Sequence, residues 1–194
     1  MRNVVIVGIC GAGKTTLAGV LAQRLGLRHI EVDALRHGPR WGVRPSFADD
    51  VATLTATDGW VVDSTAYPEI LARLWARADT AVWLELSRPV VLRRVLRRTA
   101  HRLLARQPLW AGNRETWRGV LSRRHPAVKV LLDFRVRRER ERLLLAGFGG
   151  AVVRLRTPAE VAAFLAGLGG RCVAAGAERA VHDDVRESDV PGGQ

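Results

Sequence analysis

At 194 residues the chain has the length of an ordinary domain with a proper core, and 47% hydrophobic against 26% charged residues describes a soluble globular protein rather than a disordered one. No apolar run approaches the roughly 20 residues that span a bilayer, and the start, Met1 to Gly8, is too short an apolar stretch for a signal peptide. The net charge of +12 points to anionic partners, yet only Lys14 and Lys129 are lysines, and an arginine bias of this kind is as much a composition effect as a functional choice.

Val4 to Val7 is a β-branched run stopped by Gly8, which suits a buried parallel strand. Leu17, Val20, Leu21 and Leu25 then recur at helical spacing from Lys14 to Leu25, and Gly26 ends the pattern. His29 to Val32 reads as a weaker strand delivering Asp33 at its end. A loop rich in Gly, Pro and Arg follows, and Ser46 caps a helix from Phe47 to about Thr57. Trp60 to Val62 is a third strand closing on Asp63, Tyr67 to Ala76 a helix, and Ala81 to Leu86 a fourth strand. Pro89 opens a long helix, roughly Val90 to Leu104, after which Pro108, Gly112 and Asn113 break the pattern over residues 106–119. A very basic helix is expected from Pro126 to Leu145, a fifth strand at Val152 to Leu155, and a last helix from Pro158 to Leu168. Strands alternating with helices predict a three-layer α/β/α domain over residues 1–169 with a five-stranded, mainly parallel sheet. The stretch 170–194 is rich in Gly, Ala and charge and is expected to be a disordered tail.

Gly8-Ile9-Cys10-Gly11-Ala12-Gly13-Lys14-Thr15 satisfies the phosphate-loop pattern G-x-x-x-x-G-K-[ST], and it lies between a strand and a helix, the context the pattern requires. Glycines let successive backbone N–H groups turn toward phosphate oxygens, and the following helix adds its positive N-terminal field. Gly8, Cys10, Gly11, Ala12, Gly13, Lys14, Thr15 and Thr16 are therefore the expected nucleotide-binding residues for ATP. Lys14 would charge-match the β- and γ-phosphates, and the Thr15 hydroxyl would ligate Mg²⁺.

Asp63 emerges at the carboxyl edge of the sheet, the place for an aspartate that holds Mg²⁺, and Asp33 leaves a neighbouring strand at the same edge, where it could bind or deprotonate an acceptor hydroxyl. For each the alternative is a strand-end aspartate capping a turn. Arg94 and Arg98 lie four apart on the long helix, as do Arg93 and Arg97; guanidinium pairs suit phosphoryl transfer, and a solvated basic face is the plain alternative. Trp41 could stack on a base or ring. His37, His101 and His125 have no neighbours at metal-ligand spacing, and Cys10 reads as a small loop filler. Cys10 and Cys172 are too few for a disulfide framework, so a reducing cytoplasm is the expected compartment.

These segments together, with Trp60-Val61-Val62-Asp63, Arg77 to Leu84 and the arginine helix, resemble the adenylate-kinase-related small-molecule kinases over residues 2 to 168. The resemblance is nearest to the bacterial FlaR-like (DNA-topology-modulation) group, with shikimate and gluconate kinases as more distant relatives. It implies an acceptor-binding flap at about 34–58, a lid at about 106–119, Arg94 and Arg98 flanking the transferring phosphate, and Arg114 closing over ATP from the lid. Where adenylate kinases carry an Asp-Gly-Phe-Pro-Arg stretch, this chain has Asp63-Ser64-Thr65-Ala66-Tyr67, so the AMP-reading signature is missing. The expected activity is ATP-dependent phosphorylation of a small molecule, nucleoside- or nucleotide-like. The alternatives are a nucleotide-gated regulator that binds nucleic acid through the basic helix, a less favoured partner, and a slow ATPase. The sequence leaves the oligomeric state open.

Overall fold

The computed structural model describes residues 1–64, 67–106, 108–120, 122 and 125–168. In chain order its elements are β1 (Asn3–Gly8), α1 (Lys14–Leu25), β2 (Arg28–Ile30), α2 (Val32–Arg36), a 3-10 turn (Pro39–Trp41), α3 (Phe47–Leu54), β3 (Trp60–Val62), α4 (Pro68–Arg77) and β4 (Thr80–Leu84). There follow α5 (Arg88–Leu104), a second 3-10 turn (Trp110–Gly112), α6 (Trp117–Val120), α7 (Pro126–Leu132), α8 (Phe134–Ala146), β5 (Ala151–Leu155) and a last helix, α9, over residues 158–168. The tail expected after 169 lies outside the described residues.

The strands form one parallel sheet in the order β2-β3-β1-β4-β5. Side chains alternate across β1 and so build two cores. Val5 and Val7 face a cluster completed by Phe47, Val51, Ile70, Leu74 and Phe148. Val4 and Ile6 face the other side, against Leu17, Ala18 and Leu21 of α1 and Leu168 of α9. Burying one such Val or Leu side chain contributes about 1.5–3 kcal/mol, so the near-continuous apolar strands hold the three layers together. A third cluster, Ile9, Leu86, Val91, Val95, Ala127 and Val130, seats α5 and α7 beside the phosphate loop.

Three expected boundaries shift, each for a visible reason. β2 stops at Ile30, because Asp63 Oδ1 accepts the N–H of Val32 at 3.0 Å and turns the chain into α2; Asp33 therefore sits in a helical first turn and not at a strand end. α3 stops at Leu54, where the Thr55 hydroxyl donates back to the Val51 carbonyl at 2.7 Å. The long basic helix is two helices, interrupted at Asp133, whose φ of −109° and ψ of 11° leave the helical region. Among the described residues no helix is long and apolar enough to cross a membrane.

Candidate active site

Because all five strands are parallel, the ends of β1, β2 and β3 open at one edge of the sheet and bring their loops together there. Gly11 (φ +88°) and Gly13 (φ +100°) take left-handed backbone that lets the loop curl back onto the start of α1. A Cβ on Gly11 would lie 2.2 Å from Val95 Cγ2, so the loop packs against α5 only with glycine there. Lys14 Nζ donates to the Gly8 carbonyl at 2.8 Å, folded over the loop it serves. The Thr15 hydroxyl donates to Asp63 Oδ2 at 2.7 Å, and Asp63 is 3% exposed. A hydroxyl and a carboxylate oxygen meeting beside a phosphate loop form the hard-oxygen pair that a Mg²⁺ ion accepts, so these residues fit the ion the motif implies.

Two cavities meet at this point. The smaller, about 390 Å³, is lined by residues 10–17 of the loop and α1, by Asp63 and Arg94, and by Val20, Val161 and Leu165. The larger, about 1080 Å³, extends away beneath α2, the segment 106–119, α7 and α8. Cys10, Lys14, Asp33 and Arg98 line both, so the seam between the cavities carries two cations and one carboxylate. Arg94 Nη1 donates to the Ala12 carbonyl at 2.9 Å and Arg98 Nη2 reaches Cys10 Sγ at 3.3 Å, so both guanidinium groups lie on the loop. Thr16 lines the smaller cavity with residues 10–15, Gly8 lines only the larger, and Arg93 and Arg97 line neither. Arg114 lines the larger cavity, which also takes in Gly8, Ile9, Cys10 and Lys14 of the phosphate loop. It follows Asn113, whose side chain bonds the Gly38 carbonyl and the Trp41 N–H just beyond α2.

The wall of the larger cavity is cationic: Arg36, Arg102, Arg114, Lys129, Arg137 and Arg140 line it against Glu115 and Glu141. Arg102 is paired to Glu115 at 3.1 Å, and Arg137 Nε is buried without a hydrogen-bond partner. Burial pushes the Glu141 carboxyl upward, although it accepts the Trp83 Nε1–H at 3.0 Å and lies near cations including Lys14.

Several members of this site were not read from the sequence. The phenol of Tyr67 donates to Asp33 Oδ1 at 2.5 Å, across 34 positions of chain. Asn113 ties the segment 106–119 to the segment 34–58: its Nδ2 donates to the Gly38 carbonyl at 2.9 Å and its Oδ1 accepts the Trp41 N–H at 3.1 Å. His37 stacks on Trp110 with ring centroids 5.5 Å apart, Trp41 packs edge-on to both, and Trp110 Nε1 donates to Glu31 at 3.0 Å. Trp41 thus packs in a protein aromatic cluster. A signal for this pairing does exist: Pro39-Arg40-Trp41-Gly42 and Pro108-Leu109-Trp110-Ala111-Gly112 are twin Pro–Trp–Gly turns.

No protein-family model matches the chain. Over 125 aligned residues it is 34% identical to a shikimate kinase of Nitrobacter winogradskyi, an alignment covering 53% of this chain and 56% of that protein. The chain thus spans little more than half the length of the relative it matches. Among solved structures, shikimate kinase from Acinetobacter baumannii, in complex with shikimate, superposes with a TM-score of 0.55 at 17% identity, covering 90% of this chain and 94% of that one. Shikimate kinase from Bacteroides thetaiotaomicron gives 0.50 at 15%, covering 87% and 97%. The fold is that of a P-loop kinase. These similarities support the coarser level of the resemblance, an adenylate-kinase-like small-molecule kinase, and give no weight to the FlaR-like group in particular.

Proposed function

We propose that this chain is an ATP-dependent phosphotransferase acting on a small hydroxyl-bearing acceptor. The observation that carries the reading is the seam, where Lys14, Arg98 and Asp33 line both the phosphate-loop cavity and a second, larger one. Two cavities sharing a cation pair and a carboxylate suit a donor phosphate on one side and an acceptor on the other. ATP would occupy the smaller cavity, with its phosphates on the loop N–H groups and its base against the apolar wall of Leu17, Val20, Val161 and Leu165. Mg²⁺ held by Thr15 and Asp63 would neutralise phosphate charge. Lys14 exchanges the Gly8 carbonyl for phosphate oxygens, and Arg94 and Arg98 exchange a carbonyl and a thiol, both weaker partners than a phosphate anion. Asp33 takes the proton of the attacking hydroxyl. Segments 34–58 and 106–119 act as flap and lid over the acceptor.

The cation surplus of the larger cavity favours an acceptor that carries negative charge as well as a hydroxyl, a description a nucleotide or a sugar acid would meet. The nucleic-acid reading loses ground: Arg137 and Arg140 line the cavity, and Arg138 and Arg142 pair with Glu85. We assign the protein to the cytoplasm, where ATP is available.

A coupled ADP-release assay with ATP and Mg²⁺ against shikimate, gluconate, nucleosides and nucleoside monophosphates tests the reading. Acceptor-dependent ADP release that disappears in Lys14→Ala, with the fold intact by circular dichroism, is the expected result. ADP release indifferent to every acceptor would replace the kinase with an ATPase, and full activity in Lys14→Ala would overturn the site.

A further inference from the structure

Asp33 reaches the seam from α2, a helix of only five residues, and a helix that short cannot hold a side chain still on its own. What fixes the carboxylate is Tyr67, which immediately precedes α4. Its hydroxyl donates to Asp33 Oδ1 at 2.5 Å, within the range of a charge-assisted O–H···O⁻ bond. The ring itself is held from two sides: it packs edge-on against Phe47 of α3 with centroids 5.6 Å apart, and the Arg36 guanidinium lies over it at 4.4 Å. Arg36 is in turn paired with Glu69 of α4 at 3.6 Å, closing a loop of contacts from α2 to α4 and back. Tyr67 also lines the larger cavity, so the clip sits on the acceptor's side of the seam. Burial, and then the Asp33 charge, push the phenol well above its ordinary value; it stays protonated and can only donate to a charged carboxylate.

Resting on the kinase reading, we propose that Tyr67 is the positioning residue of the phosphoryl-transfer step. Its hydroxyl occupies one oxygen of Asp33 and thereby presents the other to the acceptor hydroxyl. Tyr67 touches no reacting atom. It acts through Asp33 alone, and that dependence is what can be measured.

Tyr67→Phe keeps the ring between Phe47 and Arg36 and removes only the donor. Steady-state kinetics with whichever acceptor the coupled assay selects are expected to show kcat falling roughly 10- to 100-fold, the worth of a hydrogen bond to a charged group, with the KM for ATP unchanged. In an Asp33→Asn background the same substitution should cost nothing further, because there is no longer a base to position. Equal losses in both backgrounds, or no loss in either, would overturn the inference while leaving the kinase standing. Absence of turnover in the wild type would overturn both. A second readout needs no activity. Tyr67 is the one tyrosine of the chain, so the ultraviolet phenolate signal after a rapid alkaline jump reports it alone. The phenol should ionise well above its ordinary value of about 10 in the wild type and move down toward it in Asp33→Asn; identical titrations in the two proteins would mean the contact is not there.

Discussion

Asp63 uses both of its oxygens within the chain, one on the Thr15 hydroxyl and one on the Val32 N–H. Asn at this position keeps an acceptor for Val32 but loses the charge that a divalent ion needs. Asp63→Asn is therefore expected to lower kcat by roughly 10² to 10³-fold, the usual effect of removing one transition-state stabilising group, while the melting temperature stays within a few degrees. The coupled assay and a thermal melt separate the two effects. The placement of Lys14, Thr15 and Asp63 beside one another is legible in sequence because it is set locally, by a contiguous loop and by a position at the end of an apolar strand. Tyr67 was illegible for the opposite reason. Its partner is 34 positions away, and it is the last residue of the stretch where the chain departs from the adenylate-kinase pattern. The cavity that Arg114 lines could not be read from the sequence, since it depends on how Asn113 ties segment 106–119 to segment 34–58.

At the scale of elements, the phosphate loop depends on α5 as much as on its own glycines. Gly11→Ala would set a Cβ 2.2 Å from Val95 on left-handed backbone, and should weaken ATP binding and destabilise the protein by about 1–3 kcal/mol, read by nucleotide titration and denaturant unfolding. The segments 34–58 and 106–119 depend on each other. The side chain of Asn113, a residue 8% exposed, makes three hydrogen bonds across and within them, and Asn113→Ala would leave Gly38 and Trp41 with unpaired backbone groups. Hydrogen exchange should then accelerate in residues 37–43 and 109–113 together, and not in β1; acceleration in one segment alone would show that they are not coupled. Periodicity placed the helices and strands well because each has an apolar face of its own. It missed the break at Asp133, where the basic pattern runs on without an apolar cue, and the tertiary hydrogen bond that ends β2.

For the whole molecule, acid sensitivity follows from four groups. Burial holds His37 and His125 below the ordinary histidine value, so the folded chain resists a proton that the unfolded chain takes up; stability is full above about pH 6.5 and falls as the pH drops through it. Glu85, bonded by Arg154, and Asp79, where hydrogen bonds from Thr80, Arg2 and Asn3 outweigh burial, are held below their ordinary values. Their contribution is present above about pH 4 and lost below it. Melting temperature against pH should therefore fall in two stages, the first shallower in His37→Gln, with Glu141, raised by burial, opposing the fall only above about pH 4.5. A single smooth decline unaffected by His37→Gln would contradict this. The sheet order itself, with β1 at its centre, was not written in any local pattern; it comes from packing two cores across one sheet, which periodicity cannot rank.

The scarcity of lysine has a practical consequence in this fold. The two lysines line the two cavities, Lys14 at the seam and Lys129 on the far wall, and no other side-chain amine exists in the chain. An amine-directed affinity label built on ATP would modify the peptide that carries Lys14. One built on the acceptor could reach either lysine, so modification at Lys129 is the mark, read by mass, that a molecule has entered the larger chamber.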